Sequence, residues 1–173
     1  MFVLDKNNLL NEAEANRKAF ESANPFPNIV IDNFLPLEVA ELIYQQFPNP
    51  ADMDQTTYQK YENKIALSPH NPTCPANIDT ILNTFNSSKF ISFLEVLTSI
   101  HGLIPDPHFV GSGFQQVMNG GKLGIHVDFN FHKGLNLYRR LNVLIYFNKN
   151  WKEEYGGHLE LWDREMQKCV KTI

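Results

Sequence analysis

A histidine and an aspartate stand two residues apart in the stretch GIHVDFNFHKG, which covers residues 124–134. The stretch alternates as a β-strand does, and side chains at positions i and i+2 of a strand project from the same face. His126 and Asp128 are therefore predicted to point the same way, with Val127 on the opposite face. An imidazole nitrogen and a carboxylate oxygen placed like this can take two neighbouring positions on one metal ion.

A second histidine from another strand would complete the 2-His-1-carboxylate ligand set of non-haem iron(II) oxygenases. That set leaves positions open for a co-substrate and dioxygen. The His-x-Asp pair alone is a weak signal, because so short a motif is common and more often marks a structural ion pair. The surrounding sequence has to decide between a metal site and a structural pair.

Length and composition describe an ordinary globular protein. The chain has 173 residues, enough for one domain with a real core, and it is 43% apolar and 20% charged. A net charge of −4 without a Lys/Arg run argues against a nucleic-acid surface. No apolar run reaches the length of a membrane span or signal peptide, so we expect a cytoplasmic protein without membrane contact. Cys74 and Cys169 are too few for a disulfide scaffold.

The chain divides into a mainly helical part, residues 1–105, and a β-rich part, residues 106–173, that carries the His-x-Asp motif. In the first part we predict helices near residues 5–20, 37–47, 78–85 and 88–97, a strand at 29–31, and a long loop at 48–75 with a strand near 64–67. In the second part we predict strands at 111–118, 123–129, 141–147, 157–162 and 168–173. This order predicts a single α+β domain, a jelly roll with N-terminal helices packed on one sheet.

Three motifs follow one another with short gaps: MNGGKLGIHVDFN, RRLNVLIYFNKNW and YGGHLELW. In this order they resemble the iron(II)/2-oxoglutarate-dependent dioxygenases of the prolyl 4-hydroxylase-like group. In that family the His-x-Asp motif lies on a strand of a double-stranded β-helix, followed by a strand with a tyrosine, a tryptophan and a Gly-Gly turn. The stretch PFPNIVIDNFLP is similar to the family's entry strand and helix, so the resemblance covers residues 24–173.

The resemblance implies roles for particular residues. His126 and Asp128 would be the iron ligands and the catalytic centre. Tyr146 would place its hydroxyl against the 2-oxoglutarate pocket, and its alternative is a core tyrosine with a satisfied hydroxyl. Gln116 and Met118 on the preceding strand would line the cofactor pocket, with alternation and spacing as their only support.

Other residues of the motifs have structural or open interpretations. Trp151 and the pair Gly156-Gly157 look like an aromatic plug beside a tight turn. Asn142 and Arg140 alternate with core residues, so one of them could face the cavity, although a plain surface role or a role in supporting a neighbouring side chain is favoured.

The resemblance implies an enzyme that decarboxylates 2-oxoglutarate to succinate while it hydroxylates a peptidyl prolyl or small-molecule substrate. Its cofactors would be Fe(II), 2-oxoglutarate and dioxygen, with ascorbate as a further candidate. The loop at 48–75 and the segment at 129–138 would flank the pocket mouth and select the substrate, whose identity the sequence does not reveal.

The family pattern also contains a distal histidine ligand and a basic residue, usually arginine, for the distal carboxylate of 2-oxoglutarate. We expect both beyond Ile173, so the jelly roll would be partial, and its open sheet edge could pair two copies of the chain. His108, His132 and His158 are poor substitutes for the third ligand, and His158 is the best placed of them. The alternatives are a non-catalytic jelly-roll binding module, an inactive remnant, and a cupin-like protein that uses another metal.

Overall fold

Helices dominate the first part of the chain and short strands the second. The computed structural model describes residues 4–56, 64–67 and 76–173. The predicted loop at 48–75 lies partly outside the described residues, and Cys74 lies wholly outside them. The helices are α1 (Lys6–Glu21), α2 (Leu37–Gln45), α3 (Ala76–Thr84) and α4 (Ser88–Thr98), with 3₁₀ turns at Pro50–Asp52 and Glu153–Tyr155. The strands are β1 (Asp54–Thr56), β2 (Lys64–Leu67), β3 (Phe114–Val117), β4 (Phe131–His132), β5 (Leu137–Tyr138), β6 (Glu160–Trp162) and β7 (Cys169–Thr172).

Side-chain caps set where α1 and α4 begin. A carboxylate oxygen of Asp5 accepts hydrogen bonds from the backbone N–H groups of Asn7 and Asn8, at 2.9 and 3.0 Å. The Ser87 hydroxyl accepts from the N–H of Phe90 at 3.4 Å. Each cap satisfies N–H groups that the first turn of a helix leaves unpaired. No helix in the described ranges has the length and hydropathy needed to cross a membrane.

Apolar burial is concentrated in two clusters. The helical cluster joins α1 to α4 through Leu4, Leu9, Ala13, Phe90, Phe93 and Leu97. The sheet cluster joins α2 and α3 to the first sheet through Leu35, Ile43, Met53, Ile65, Ile81 and Phe114. Ile43 is fully buried, and removing a side chain of that size from water contributes about 1.5–3 kcal/mol. Ile145 and Phe147 pack against the sheet cluster, so the core also holds the segment that follows the RRLN motif.

The strands form three small antiparallel sheets with the orders β1-β2-β3, β4-β5 and β6-β7. In the first, Ile65 of β2 lies opposite Gln116 of β3. In the second, Phe131 lies opposite Tyr138, which makes residues 131–138 a hairpin. The predicted strand near 64–67 is confirmed. Those predicted at 111–118, 157–162 and 168–173 are confirmed in shortened form as β3, β6 and β7.

Three predicted strands are wrong: residues 29–31, 123–129 and 141–147 are all described, and none of these segments is a strand. A strand exists only where its backbone groups pair with a neighbouring strand, so a two-residue alternation is not sufficient. The mixed α+β composition is confirmed. The predicted jelly roll is not shown, because the described strands form three separate sheets and no closed double-stranded β-helix.

Two lysines connect the β-rich part to the N-terminal part. Lys149 forms an ion pair with Glu41 of α2. Lys171 of β7 donates a hydrogen bond to the side-chain oxygen of Asn28 at 2.8 Å. These contacts, together with the sheet cluster, hold the segments on either side of the Gly-Gly turn against the helical part.

Candidate metal centre

His126 and Asp128 lie side by side, just before the hairpin formed by β4 and β5. Nε2 of His126 is 3.4 Å from Oδ1 of Asp128, and the two side chains are 47% and 41% exposed. The predicted pair therefore does meet, although its segment is not a strand. Both groups remain open to solvent.

The backbone orients the His126 ring. Nδ1 of this ring lies 2.8 Å from the carbonyl oxygen of Gly124. A carbonyl oxygen can only accept, so Nδ1 carries the proton, and in the neutral ring Nε2 keeps its lone pair. That lone pair faces a carboxylate oxygen, an arrangement that favours a cation between them, whether a proton or a metal ion. Metal-binding histidines commonly show the same pattern, with the second ring nitrogen donating to a carbonyl or carboxylate.

The second oxygen of Asp128 is engaged elsewhere. The side-chain amide of Asn142 donates a hydrogen bond to Oδ2, and a guanidinium nitrogen of Arg139 lies 3.5 Å from the same atom. Partial burial raises the pKa of the Asp128 carboxyl. The Asn142 hydrogen bond and the charges of Arg139 and His126 together outweigh that effect, so the pKa lies below its ordinary value. Asp128 is thus an ionised carboxylate with Oδ1 directed to His126.

The donor atoms fit a divalent metal ion. Zinc, a representative first-row ion, bonds imidazole nitrogen and carboxylate oxygen at about 2.0–2.2 Å. Two such bonds reach further than the 3.4 Å between Nε2 and Oδ1, so one ion can contact both atoms. The donor types are those of the 2-His-1-carboxylate set. Within the described ranges no group of three His, Cys, Asp or Glu side chains could hold a metal ion, so the pair accounts for two ligands.

Tyr146 lies on a segment that the core anchors. Its neighbours Ile145 and Phe147 pack against the sheet cluster. Tyr146 itself is 60% exposed. Burial of the rest of its ring raises the pKa of the phenol. The hydroxyl therefore stays protonated at neutral pH and remains able to donate a hydrogen bond.

Gln116 and Met118 were both predicted to line the cofactor pocket. Gln116 lies on β3 and shares its face with buried Phe114, since residues two apart on a strand face the same way. Met118 packs against the sheet cluster. Residues that line a pocket and residues that face the core follow the same two-residue alternation along a strand. Sequence spacing alone therefore cannot distinguish a pocket residue from a core residue.

The other two histidines near the motif make local contacts. Nδ1 of His132 accepts from the backbone N–H of Leu135 at 3.0 Å. Its Nε2 is buried without a hydrogen-bond partner, 3.8 Å from Oδ2 of Asp106. Nε2 of His158 lies 3.3 Å from the carbonyl oxygen of Glu153. In the part of the chain that the structure describes, neither ring joins His126 in a three-ligand group.

The contact between Arg139 and Asp128 is not indicated by any motif in the sequence. Arg139 is the first residue of the basic doublet Arg139-Arg140. It meets Asp128 because the hairpin turns the chain back at one particular register, and no local motif encodes that distance.

The comparisons with known proteins agree with the motif. Residues 112–173 match the model of a family described as the 2OG-Fe(II) oxygenase superfamily, a stretch that runs from β3 to the end of β7 and contains His126 and Asp128. The match is to the superfamily and does not distinguish the prolyl 4-hydroxylase-like group within it. No curated protein and no solved structure gives a significant match. The similarity to the 2OG-Fe(II) oxygenase superfamily thus extends over residues 112–173 of this chain.

Proposed function

We propose that the chain is the iron-binding part of a 2-oxoglutarate- and iron(II)-dependent dioxygenase of the prolyl 4-hydroxylase-like group, with His126 and Asp128 as metal ligands. One observation carries the proposal. The stretch that matches the oxygenase family holds an imidazole lone pair and an ionised carboxylate 3.4 Å apart. The family implies Fe(II), 2-oxoglutarate and dioxygen as cofactors.

The chain's own residues bind and orient. His126 and Asp128 would hold the ion, and the Gly124 carbonyl keeps the ring turned so that Nε2 faces Asp128. Iron bound there with 2-oxoglutarate and dioxygen would supply the oxidising power for hydroxylation of the substrate, with succinate and carbon dioxide as the other products. Tyr146, as a protonated phenol, is proposed to donate a hydrogen bond at the 2-oxoglutarate pocket. Gln116 is proposed to border the pocket from β3.

The proposed substrate is a peptidyl prolyl residue or a small molecule. The hairpin directly follows the metal ligands and carries Phe131 and Tyr138 as an edge-to-face pair with ring centroids 5.3 Å apart. Both rings are partly open to solvent. An aromatic surface beside the metal suits contact with a saturated ring or an apolar chain.

The test uses Mn(II), which replaces iron(II) in oxygen-ligand sites, does not require anaerobic handling, and broadens NMR signals of nearby nuclei. We expect Mn(II) to broaden the His126 ring signals first. 2-Oxoglutarate should tighten Mn(II) binding, because its carboxylate and keto oxygens fill two open positions on the ion. Succinate lacks the keto oxygen and should not tighten binding.

Two variants serve as controls. In Asp128→Ala, 2-oxoglutarate should no longer raise the affinity for Mn(II). Glu165→Ala removes an exposed carboxylate in the same matched stretch, and in this variant 2-oxoglutarate should still raise the affinity. Equal tightening by succinate, or broadening spread evenly over the six histidines, would contradict the proposal. Either outcome would favour a non-catalytic binding module.

A further inference from the structure

The two oxygens of Asp128 have separate environments. Oδ1 faces Nε2 of His126, whereas Oδ2 accepts a hydrogen bond from the Asn142 amide and lies 3.5 Å from a guanidinium nitrogen of Arg139. Arg139 also donates to the side-chain oxygen of Asn142. The amide of Asn142 is thereby fixed in orientation, since its oxygen accepts from Arg139 and its nitrogen donates to Asp128.

Arg139 is itself held in place by the hairpin. Its backbone N–H donates to the carbonyl oxygen of Asn130 at 2.9 Å, which extends the pairing of β4 and β5 by one step. Residues that face each other across an antiparallel pair lie on the same side, so Arg139 lies on the same side of the hairpin as Asn130. The guanidinium lies 4.5 Å from the centre of the Phe129 ring, and the side chain is 25% exposed. Stacking on an aromatic ring restricts a side chain that would otherwise move freely in solvent.

We propose that Arg139 and Asn142 are positioning residues that occupy Oδ2 of Asp128 and so present Oδ1 alone to the metal. The inference rests on the proposed function, because it concerns how that metal site is held. A carboxylate that binds through both oxygens takes two positions on the ion. A carboxylate that binds through one leaves the other position for the co-substrate or dioxygen.

The positive charge of Arg139 has a second effect. It offsets the negative charge of Asp128 when no metal is bound, which helps to keep the carboxylate in place beside the His126 ring. Hydrogen bonds to ligating carboxylates are a regular part of metal sites, and their loss typically weakens metal affinity by about 10- to 100-fold. Here Asn142 supplies such a hydrogen bond and Arg139 adds an ion pair to the same oxygen.

The neighbouring arginine provides a matched control. Arg139→Gln and Arg140→Gln remove the same charge one residue apart, and Arg140 is exposed. We expect Arg139→Gln and Asn142→Ala to weaken Mn(II) binding at His126 at least tenfold, and Arg140→Gln to leave it within about twofold. Arg139→Lys keeps the charge without the planar fork, so it should recover part of the affinity. Urea unfolding of each variant shows whether it remains folded.

A second readout needs no metal. In the metal-free chain, Asp128→Ala should shift the NMR signals of the Asn142 side-chain amide, and Arg140→Gln should not. Equal changes of Mn(II) affinity in Arg139→Gln and Arg140→Gln, in either direction, would mean that the position of Arg139 is irrelevant and would overturn the inference. Unchanged affinity in Arg139→Gln and Asn142→Ala would overturn it while leaving the proposed function intact. Absence of Mn(II) broadening at His126 in the parent chain would overturn both.

Discussion

Nδ1 of His126 donates a hydrogen bond to the carbonyl oxygen of Gly124, two residues earlier in the chain, over 2.8 Å. The contact is local, yet it decides which ring nitrogen is free. With Nδ1 committed to the backbone, Nε2 is the nitrogen that faces Asp128. Nε2 and Oδ1 of Asp128 can then share either a proton or a metal ion, and the backbone contact turns the ring in the way that is common among metal-binding histidines.

Iron binding should depend on His126 and should need 2-oxoglutarate to become strong. With the two ligands that the described residues supply, a monomer is expected to hold iron(II) weakly. Iron(II) and 2-oxoglutarate together should produce a visible charge-transfer band in the absence of oxygen. His126→Ala should abolish the band, whereas His158→Ala, which changes a histidine that contacts Glu153, should retain it. Tight one-to-one iron binding by a proven monomer without 2-oxoglutarate would contradict this expectation.

Truncation of the side chain at two positions on α2 should change the free energy of unfolding by very different amounts. Ile43 is fully buried in the sheet cluster, whereas Leu37 is 80% exposed on the same helix. Ile43→Ala should lower the free energy of unfolding by about 2–5 kcal/mol, because it removes buried methyl groups and leaves a cavity. Leu37→Ala should change it by no more than about 0.5 kcal/mol. Urea denaturation of the parent and both variants measures the difference, and equal effects would mean that α2 does not pack as described.

The turn before β6 should require glycine at its first position. Gly156 has φ +67° and ψ −149°, a backbone conformation that side chains with a Cβ atom strongly disfavour. Gly156→Ala should therefore cost about 1–3 kcal/mol of stability. Gly124→Ala is the matched control, because its Cβ would meet nothing within 4 Å and its φ is not positive. Thermal unfolding of the two variants tests this, and a neutral Gly156→Ala would show that the turn adopts another conformation.

The ion pair between α2 and the segment after β5 should make stability depend on pH. Hydrogen bonds from Lys149 and Gln45 lower the pKa of Glu41, and partial burial opposes them weakly. Because the folded pKa lies below the unfolded value of about 4.3, the stabilisation is present above that pH and is lost as the pH falls through the folded pKa. Glu41→Gln should be less stable than the parent near neutral pH and equal to it in acid.

A double-mutant cycle isolates that contact. When Lys149 is replaced by Gln, the substitution Glu41→Gln should change the free energy of unfolding at neutral pH by less than it does in the parent. High salt should reduce it as well, since both groups are exposed to solvent. Urea unfolding of the four proteins at neutral and acid pH provides the measurement. A difference that persists unchanged in acid would mean that the amide, and not the lost charge, is responsible.

The helices and the ligand pair follow from short-range patterns. The cap residue Asp5 and the apolar spacing of α1 lie within one or two turns of each other, because helix hydrogen bonds join residues four apart. His126 and Asp128 stand two residues apart, so their proximity follows from almost any extended backbone. The order of the motifs around them is likewise a property of the sequence, which is why the similarity to 2OG-Fe(II) oxygenases can be seen without the fold.

Contacts between residues far apart in the chain could be decided only by the tertiary structure. The segments at 123–129 and 141–147 alternate like strands, but no strand among the described residues pairs with them. Met118 fits a pocket or a core equally well by spacing, and packing places it against the sheet cluster. Asn142 reaches Asp128 across fourteen residues because the hairpin turns the chain back at one particular register. The sequence by itself thus determined which groups could bind a metal, whereas the register of the hairpin and the packing of the core decided which side chains hold those groups in place.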